Sequence, residues 1–327
     1  MKYSLNVMML ASAAGLLFSA AIMSAACMSS SDTTPAAAGG AAGAGGGGTG
    51  GGGTGGGTGG GTGGSTGGSA GAGTGGTGGA AQCPAGQAQT VQAIADGTVA
   101  SGVQAEVTGA IVTGPKFLVS KSSTSLTCLW GTFVKDPNAA YGVMVVAYGD
   151  KAVDDGTGKT TCPTGTDLIP NDVAAGDVVN LTGQTDDYAP SAGTNCPTPP
   201  AGQIQLKICA YAKTGSGAAP DPVVVANAAD LMTGDKKYQG LLVKIENVTA
   251  EDWPDGGTVG PYGVIKLAGS GLEVHDKLYY TTAGAPQFDP GQVFTSIVGI
   301  SHLDYCTWAL QPRDKCADFG PKSKDCP

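Results

Sequence analysis

The sequence is poor in aromatic and charged residues, and it contains only two histidines. Aromatic residues make up 6 % of the 327 residues and charged residues 13 %. No two cysteines have the C-x-x-C spacing, and no three Lys or Arg residues are consecutive. A zinc centre needs closely spaced Cys and His ligands, so none is assigned. The formal net charge of -9 would repel a phosphate backbone, which disfavours nucleic acid as a partner.

Helical periodicity is nearly absent as well. One stretch, residues 226–232, has the character of a short helix. Elsewhere apolar residues alternate with polar ones, as at Val103, Ala105 and Val107, which is the period of a half-buried strand. Gly109 interrupts that stretch and predicts a bulge or bend. The patterns therefore predict an all-β fold.

Glycine is concentrated in one part of the chain. The sequence has 57 glycines, and they are densest in residues 39–79, among Thr, Ser and Ala. Such a stretch cannot bury enough apolar surface to offset the entropy lost on folding. Residues 27–82 are therefore predicted to form a disordered linker. A Gly-rich coil of about 50 residues spans roughly 40 Å.

The first 26 residues predict an export signal peptide. Lys2 precedes an apolar stretch over residues 7–26, and small residues stand directly before Cys27. The segment Ser24-Ala25-Ala26-Cys27 resembles a bacterial lipobox, which implies that Cys27 is lipidated and becomes the mature N-terminus. By resemblance to Gram-negative lipoproteins, we expect an anchor in the outer membrane, at the surface or facing the periplasm. The alternative is an ordinary secretory signal with an incidental Cys.

One pattern occurs twice beyond the glycine-rich segment. Residues 176–188 read GDVVNLTGQTDDY, and residues 291–305 read GQVFTSIVGISHLDY. Each copy opens on a Gly, alternates apolar residues, crosses a second Gly and ends in Asp-Tyr. Repetition of one β-unit predicts two tandem domains. The extra residue between the two glycines of the second copy predicts a β-bulge there.

Two further segments, taken together with this pattern, resemble those of a known family. Residues 238–249 read YQGLLVKIENVT, and residues 310–318 read LQPRDKCAD. Together with GDVVNLTG, they resemble the tandem OB-fold modules of secreted bacterial proteins, the type that accompanies extracellular nucleases. The resemblance implies two five-stranded OB-like barrels, over residues 83–218 and 219–327. It also implies a binding or spacing role without a catalytic set of residues.

Eight cysteines follow Cys27, and an even number in an exported chain predicts up to four disulfides. The spacing leaves the pairing open. We expect Cys162 to pair with Cys196 or Cys128, and Cys316 to pair with Cys306 or Cys326. The eight candidates are Cys83, Cys128, Cys162, Cys196, Cys209, Cys306, Cys316 and Cys326.

Two groupings of His and Asp are the nearest approach to a catalytic pattern. His302 and Asp304 flank the end of the second repeat copy, and His275 is followed by Asp276. A hydrolase triad would also need a positioned Ser, and isolated histidines are more often surface or loop residues. No catalytic residue and no cofactor is therefore assigned.

Aromatic residues on an OB-like sheet can stack on bases or sugars. The candidates for a ligand-binding face are Trp130, Tyr141, Trp253 and Trp308, although alternation also fits burial for most of them. The sequence thus predicts a non-catalytic envelope lipoprotein that is anchored in the membrane by its lipid and binds a protein or a polysaccharide. Nucleic-acid binding through an OB groove and an extracellular hydrolase are the alternatives.

Overall fold

The computed structural model describes residues 83–193, 196–252, 257–260 and 263–327, all within one compact unit. The predicted signal peptide, Cys27, the linker and Trp253 lie outside the described residues. Strands dominate this part of the chain and its helices are short, which confirms the all-β prediction. Within the same residues, no helix is long and apolar enough to cross a membrane.

The strands divide between the two halves of the described chain. The first half contains β1 (Gln87–Ala88), β2 (Gln104–Val112), β3 (Phe117–Lys121), β4 (Thr127–Lys135), β5 (Gly142–Lys151), β6 (Val153–Asp154), β7 (Thr160–Thr161), β8 (Asp177–Tyr188) and β9 (Gln203–Ser216). The second half contains β10 (Val223–Val224), β11 (Leu242–Thr249), β12 (Ile265–Lys266), β13 (Glu273–Val274), β14 (Val293–Asp304), β15 (Thr307–Gln311) and β16 (Phe319–Gly320). The helices are α1 (Val91–Ala95), α2 (Tyr280–Ala283) and the 3-10 helix η1 (Ala228–Thr233), which lies where the sequence predicted a short helix.

Five strands of the first half close into a ring, which we name the first barrel. Their hydrogen-bonded order is β2-β8-β9-β5-β4, and β4 returns to β2 through the pairs Ile111↔Lys135 and Val112↔Val134. Strands β5 and β9 are parallel, and the other neighbours are antiparallel. Val91 of α1 packs with the apolar residues inside the ring.

The second half repeats this arrangement as the second barrel. Its order is β11-β14-β15-β13-β12, and the bridge Ala250↔Leu267 completes the ring between β12 and β11. The third and fifth strands of the ring, β13 and β15, are again parallel. A short leader strand lies parallel to the first strand of each ring, β1 on β2 and β10 on β11. The duplication therefore includes the leader strand, and both rings agree with the expected five-stranded barrels.

The β-bulges lie in the first barrel rather than in the second copy of the repeat. The register of β2 against β8 shifts between Val107 and Ala110, around Gly109, whose φ is +71°. Strand β14 pairs with β11 and β15 in continuous register, so the prediction of a bulge in the second copy is wrong. Two shifts occur instead where β8 pairs with β9. The extra residues lie on β9, which is 14 residues long.

All eight cysteines of the described residues are paired, which confirms the predicted disulfides. Two of the four bonds, Cys128–Cys162 and Cys316–Cys326, are among the expected alternatives. The other two, Cys83–Cys209 and Cys196–Cys306, were not expected. The Cys196–Cys306 bond has a Cα–Cα distance of 5.5 Å and joins the first barrel to the second. The barrels are thus linked covalently as well as by packing.

The two barrels share an apolar core. Alternation along β4 and β5 directs one set of side chains into the first barrel and the other set outward. The outward set packs against residues of the second barrel in one cluster, formed by Phe117, Phe133, Met144, Val146, Leu242, Leu278 and Ile300. The backbones of Gly142 and Gly240 approach so closely that a Cβ on Gly142 would overlap the Gly240 carbonyl. The interface therefore depends on small residues at this crossing.

Candidate functional site

The predicted ligand-face aromatics do not share one surface. Trp308 is 2 % exposed and lies in the second barrel, so its ring cannot stack on a ligand at the surface. Trp130 is 8 % exposed, and Tyr141 is half-buried directly before β5. Trp253 lies outside the described residues. Of the four, Trp130 lines a cavity.

A groove lies on the outer face of β3, β4 and β5, beside the interface between the barrels. Its floor is apolar, formed by Val119, Leu129 and Met144. The cavity has a volume of about 570 Å³, within the range of small-ligand sites. We name it the tyrosine groove, because Tyr188 and Tyr305 stand on its walls.

The two copies of the sequence repeat meet at this groove. Tyr188 ends the first copy and Tyr305 ends the second, and their exposed fractions are 43 % and 79 %. Tyr305 adopts a φ of +57°, in the turn between β14 and β15. Sequence reasoning missed both tyrosines as ligand-face residues. The available signal was the Asp-Tyr that closes each copy.

The disulfide between the barrels lies beside these tyrosines. Cys196 lines the groove, and its partner Cys306 directly follows Tyr305. The bond therefore holds the loop between β8 and β9 against the turn between β14 and β15. This bond fixes two walls of the groove relative to each other, although no helix or strand connects them.

A charged network lies beside the groove and contributes Lys277 and Asp304 to its lining. His275 Nδ1 lies 3.0 Å from Asp304 Oδ2, and His275 Nε2 lies 3.0 Å from Glu273 Oε2. Lys277 Nζ donates to Asp304 Oδ1 at 2.5 Å. Burial disfavours the charged imidazole, but the bonds and charges of Asp304 and Glu273 outweigh it and raise the pKa of His275 to about 9. Burial acts against ionised Asp304 too, yet His275 and Lys277 hold the pKa of that carboxyl well below its usual range.

The second histidine is neutral and structural. His302 is 2 % exposed, and burial together with the charge of Lys277 lowers its pKa to about 3. Its Nδ1 bonds to Gln203 Oε1 at 2.8 Å, and its ring packs edge-on against Phe117 and Phe133. Both nitrogens of His275 bind carboxylates, and His302 Nε2 has no partner within the described chain. Neither histidine is therefore hydrogen-bonded to a Ser hydroxyl, as a triad would require.

A second cavity, of about 760 Å³, adjoins the groove. The two cavities share Lys277 and Asp304 as wall residues. We name the second one the Asp276 cavity, lined among others by Phe117, Leu118, Trp130, Asp276 and Tyr280. Burial raises the pKa of Asp276 to about 6, in spite of the nearby charge of His275.

The described residues contain no group of three or more His, Cys, Asp or Glu side chains arranged to hold a metal ion. In comparisons with known proteins, no family model and no curated protein matches the chain. The geometry of the two cavities therefore carries the functional argument.

Proposed function

We propose that this protein is a non-catalytic binding protein of the bacterial cell envelope, and that its tyrosine groove holds a segment of polysaccharide or protein. It would be anchored in the outer membrane through lipidated Cys27 and extended from the surface by the glycine-rich linker. The observation that carries the proposal is the position of the groove. OB-folds bind oligosaccharides and oligonucleotides on the face of their second and third strands, between the first-to-second and fourth-to-fifth connections.

The groove occupies the corresponding place in the first barrel. Strands β4 and β5 are the second and third strands of the ring and supply Leu129 and Met144. The connection from β2 to β4 supplies Val119 on β3, and the connection from β8 to β9 supplies Cys196. Tyr305 of the second barrel adds a wall that a single barrel lacks.

The chemistry of the groove favours an uncharged ligand. Tyrosine offers an apolar ring and a polar hydroxyl at a low entropy cost, which suits sugar rings and peptide side chains. Among the described residues of the lining, Lys277 is the one cation, and it is bonded to Asp304. A nucleic acid would find no free positive charge there, and the chain carries a net charge of -9.

A binding assay on the full chain tests the proposal. The protein would be screened against bacterial polysaccharides, envelope proteins and single-stranded DNA at low salt. We expect saturable binding to a polysaccharide or a protein, weakened at least tenfold by Tyr188→Ala and by Tyr305→Ala. Tyr280→Ala is the matched control, because Tyr280 is 55 % exposed but lines the other cavity, and it should leave binding unchanged.

Two outcomes would overturn the proposed binding role, and a third would overturn the anchor. Binding of DNA with a steep salt dependence would favour the nucleic-acid alternative. A hydrolytic activity abolished by a single substitution in the barrels would favour an enzyme. Mass spectrometry of the mature N-terminus tests the anchor separately, and an unmodified Cys27 would remove the anchor without affecting the groove.

A further inference from the structure

The Asp276 cavity combines apolar walls with one buried carboxylate, Asp276, which forms no ion pair within the described residues. The first barrel lines it with Phe117, Leu118 and Trp130, and the second with Asp276 and Tyr280. Its volume is about 760 Å³. Volumes of about 300 to 1,000 Å³ with mostly apolar walls and a few polar groups are typical of small-molecule sites. The polar groups therefore decide which ligand fits.

The two lysines of the lining are already neutralised. Lys116 Nζ donates to Asp167 Oδ2 at 2.6 Å, to the Ile169 carbonyl at 2.8 Å and to Asn171 Oδ1 at 2.8 Å. These three bonds use all three donors of an ammonium group. Lys277 Nζ is bound by Asp304 Oδ1. Both cations are therefore paired with a carboxylate.

Asp276 differs from Asp167 and Asp304, the carboxylates that bind these two lysines. Asp276 is 5 % exposed, and its Oδ2, which packs against Gly263, has no hydrogen-bond partner in the part of the chain that the structure describes. An ionised carboxylate buried without a partner is unfavourable by several kcal/mol. Burial raises the pKa of Asp276 to about 6, against the opposing effect of the nearby His275 charge. A ligand that brings a positive charge would remove this penalty.

The aromatic walls favour the same kind of ligand. Cations are attracted to the faces of Trp and Tyr rings. Lys116 already occupies the face of the Trp130 ring, 4.9 Å from its centroid, so the Tyr280 ring is the one that remains for a cation. Tyr280 is 55 % exposed, so its ring is accessible to a ligand. An inorganic cation fits less well, because Ca²⁺ and Mg²⁺ require several oxygen ligands, and no such group occurs in the described residues.

We propose that the Asp276 cavity binds a small organic ammonium ion with an apolar body, whose nitrogen is bound by the Asp276 carboxylate. The apolar body lies against Leu118 and the aromatic walls. A neutral ligand would leave the carboxylate without an ion-pair partner, and an anion would be repelled by it. This inference is independent of the function proposed for the tyrosine groove.

The test compares two probes that differ in charge but hardly in shape. Phenethylammonium and 2-phenylethanol would be titrated into the full chain by calorimetry at pH 7. We expect the ammonium ion to bind saturably and the alcohol at least tenfold more weakly, a difference of about 1.4 kcal/mol. Equal affinities, or no saturable binding of either probe, would overturn the proposal without the need for any variant.

Variants then locate the site. Asp276→Asn keeps the shape of the side chain and should remove the preference for the ammonium ion, whereas Asp150→Asn changes an exposed carboxylate and should have no effect. Tyr280→Leu should weaken binding while leaving the fold intact. Tyr188→Ala should have no effect, because Tyr188 lines the groove and not this cavity. Unchanged binding in both Asp276→Asn and Tyr280→Leu, or a loss with Tyr188→Ala, would place the probe elsewhere and contradict the proposal.

Discussion

Gln203 of the first barrel is hydrogen-bonded to His302 of the second across their interface. Gln203 Oε1 accepts from His302 Nδ1 at 2.8 Å and from the Leu303 backbone N–H at 2.9 Å. Because the backbone N–H is always a donor, Oε1 is the acceptor, and Nδ1 must carry the proton of the neutral ring. Gln203 is fully buried and His302 nearly so. This polar contact within an apolar interface fixes the position of the second barrel on the first.

Removing that amide should destabilise the protein. In Gln203→Leu, His302 Nδ1 and the Leu303 N–H lose their shared acceptor while they remain buried. Each buried donor left unsatisfied costs about 1 to 3 kcal/mol, so we expect the two together to lower the free energy of unfolding by about 2 to 6 kcal/mol. Urea denaturation measures it. Gln287→Leu, at an exposed position, should change stability by less than about 0.5 kcal/mol, and an equally small effect of Gln203→Leu would contradict the interpretation.

The disulfide between the barrels should stabilise the protein more than the one near the end of the chain. Cys196 and Cys306 are 110 residues apart, whereas Cys316 and Cys326 are 10 residues apart. In the chain-entropy model, a disulfide that closes a loop of about 100 residues stabilises the fold by about 4.7 kcal/mol, and one that closes about 15 residues by about 3 kcal/mol. We therefore expect the paired replacement of Cys196 and Cys306 by Ala to lower the urea midpoint more than the paired replacement of Cys316 and Cys326. A larger effect of the terminal pair would contradict this expectation.

The network around His275 predicts a loss of stability at alkaline pH. The folded pKa of His275, about 9, is above its ordinary value of 6.5. The protonated ring therefore contributes its full stabilisation below pH 6.5, and this contribution is lost as the pH rises through about 9. We expect the free energy of unfolding to fall by on the order of 2 kcal/mol over this window, as measured by urea denaturation at a series of pH values.

A matched pair of variants assigns the pH effect to this residue. His275→Gln cannot be protonated, so its stability should be lower at pH 6.5 and nearly constant up to pH 9. Lys324→Gln removes an exposed ion pair with Asp289 and should keep the pH dependence of the wild type. If His275→Gln retains that dependence, another group is responsible for it.

Local sequence patterns predicted most of the architecture. Alternation and the repeated copies identified β8, β14 and the strands around them, and Gly109 marked a bulge that the structure contains. The helix α1 was missed because five residues are too few to show a helical period. Its one local signal is Thr90, whose side chain accepts a hydrogen bond from the Ala93 N–H as an N-cap. The leader strands β1 and β10 are two residues each, which is too short for any alternation to show.

The cavities could not be predicted because they depend on how the barrels pack. Tyr188 and Tyr305 were visible as the ends of the repeat, but only the contact between the barrels brings them to one groove. Trp308 was a candidate for a ligand face, yet it is buried, and a Cβ on Gly234 would come within 2.7 Å of its Nε1. Long-range packing of this kind leaves no periodic signal in the sequence. The pairing of Cys196 with Cys306 escaped prediction for the same reason.

Gly263 and Gly271 offer a test of how tightly Asp276 is packed. Both have positive φ, +73° and +70°, so an Ala at either position is strained by about 1 kcal/mol. A Cβ on Gly263 would overlap Asp276 Oδ2, whereas a Cβ on Gly271 would meet nothing within 4 Å. We therefore expect Gly263→Ala to lower the free energy of unfolding by about 1 to 3 kcal/mol more than Gly271→Ala, as measured in urea. Since the backbone strain is common to both variants, the difference between their losses of stability reports the contact with Asp276. Asp276→Ala should reduce this difference. Equal losses in the two variants would mean that the carboxylate moves away at little cost.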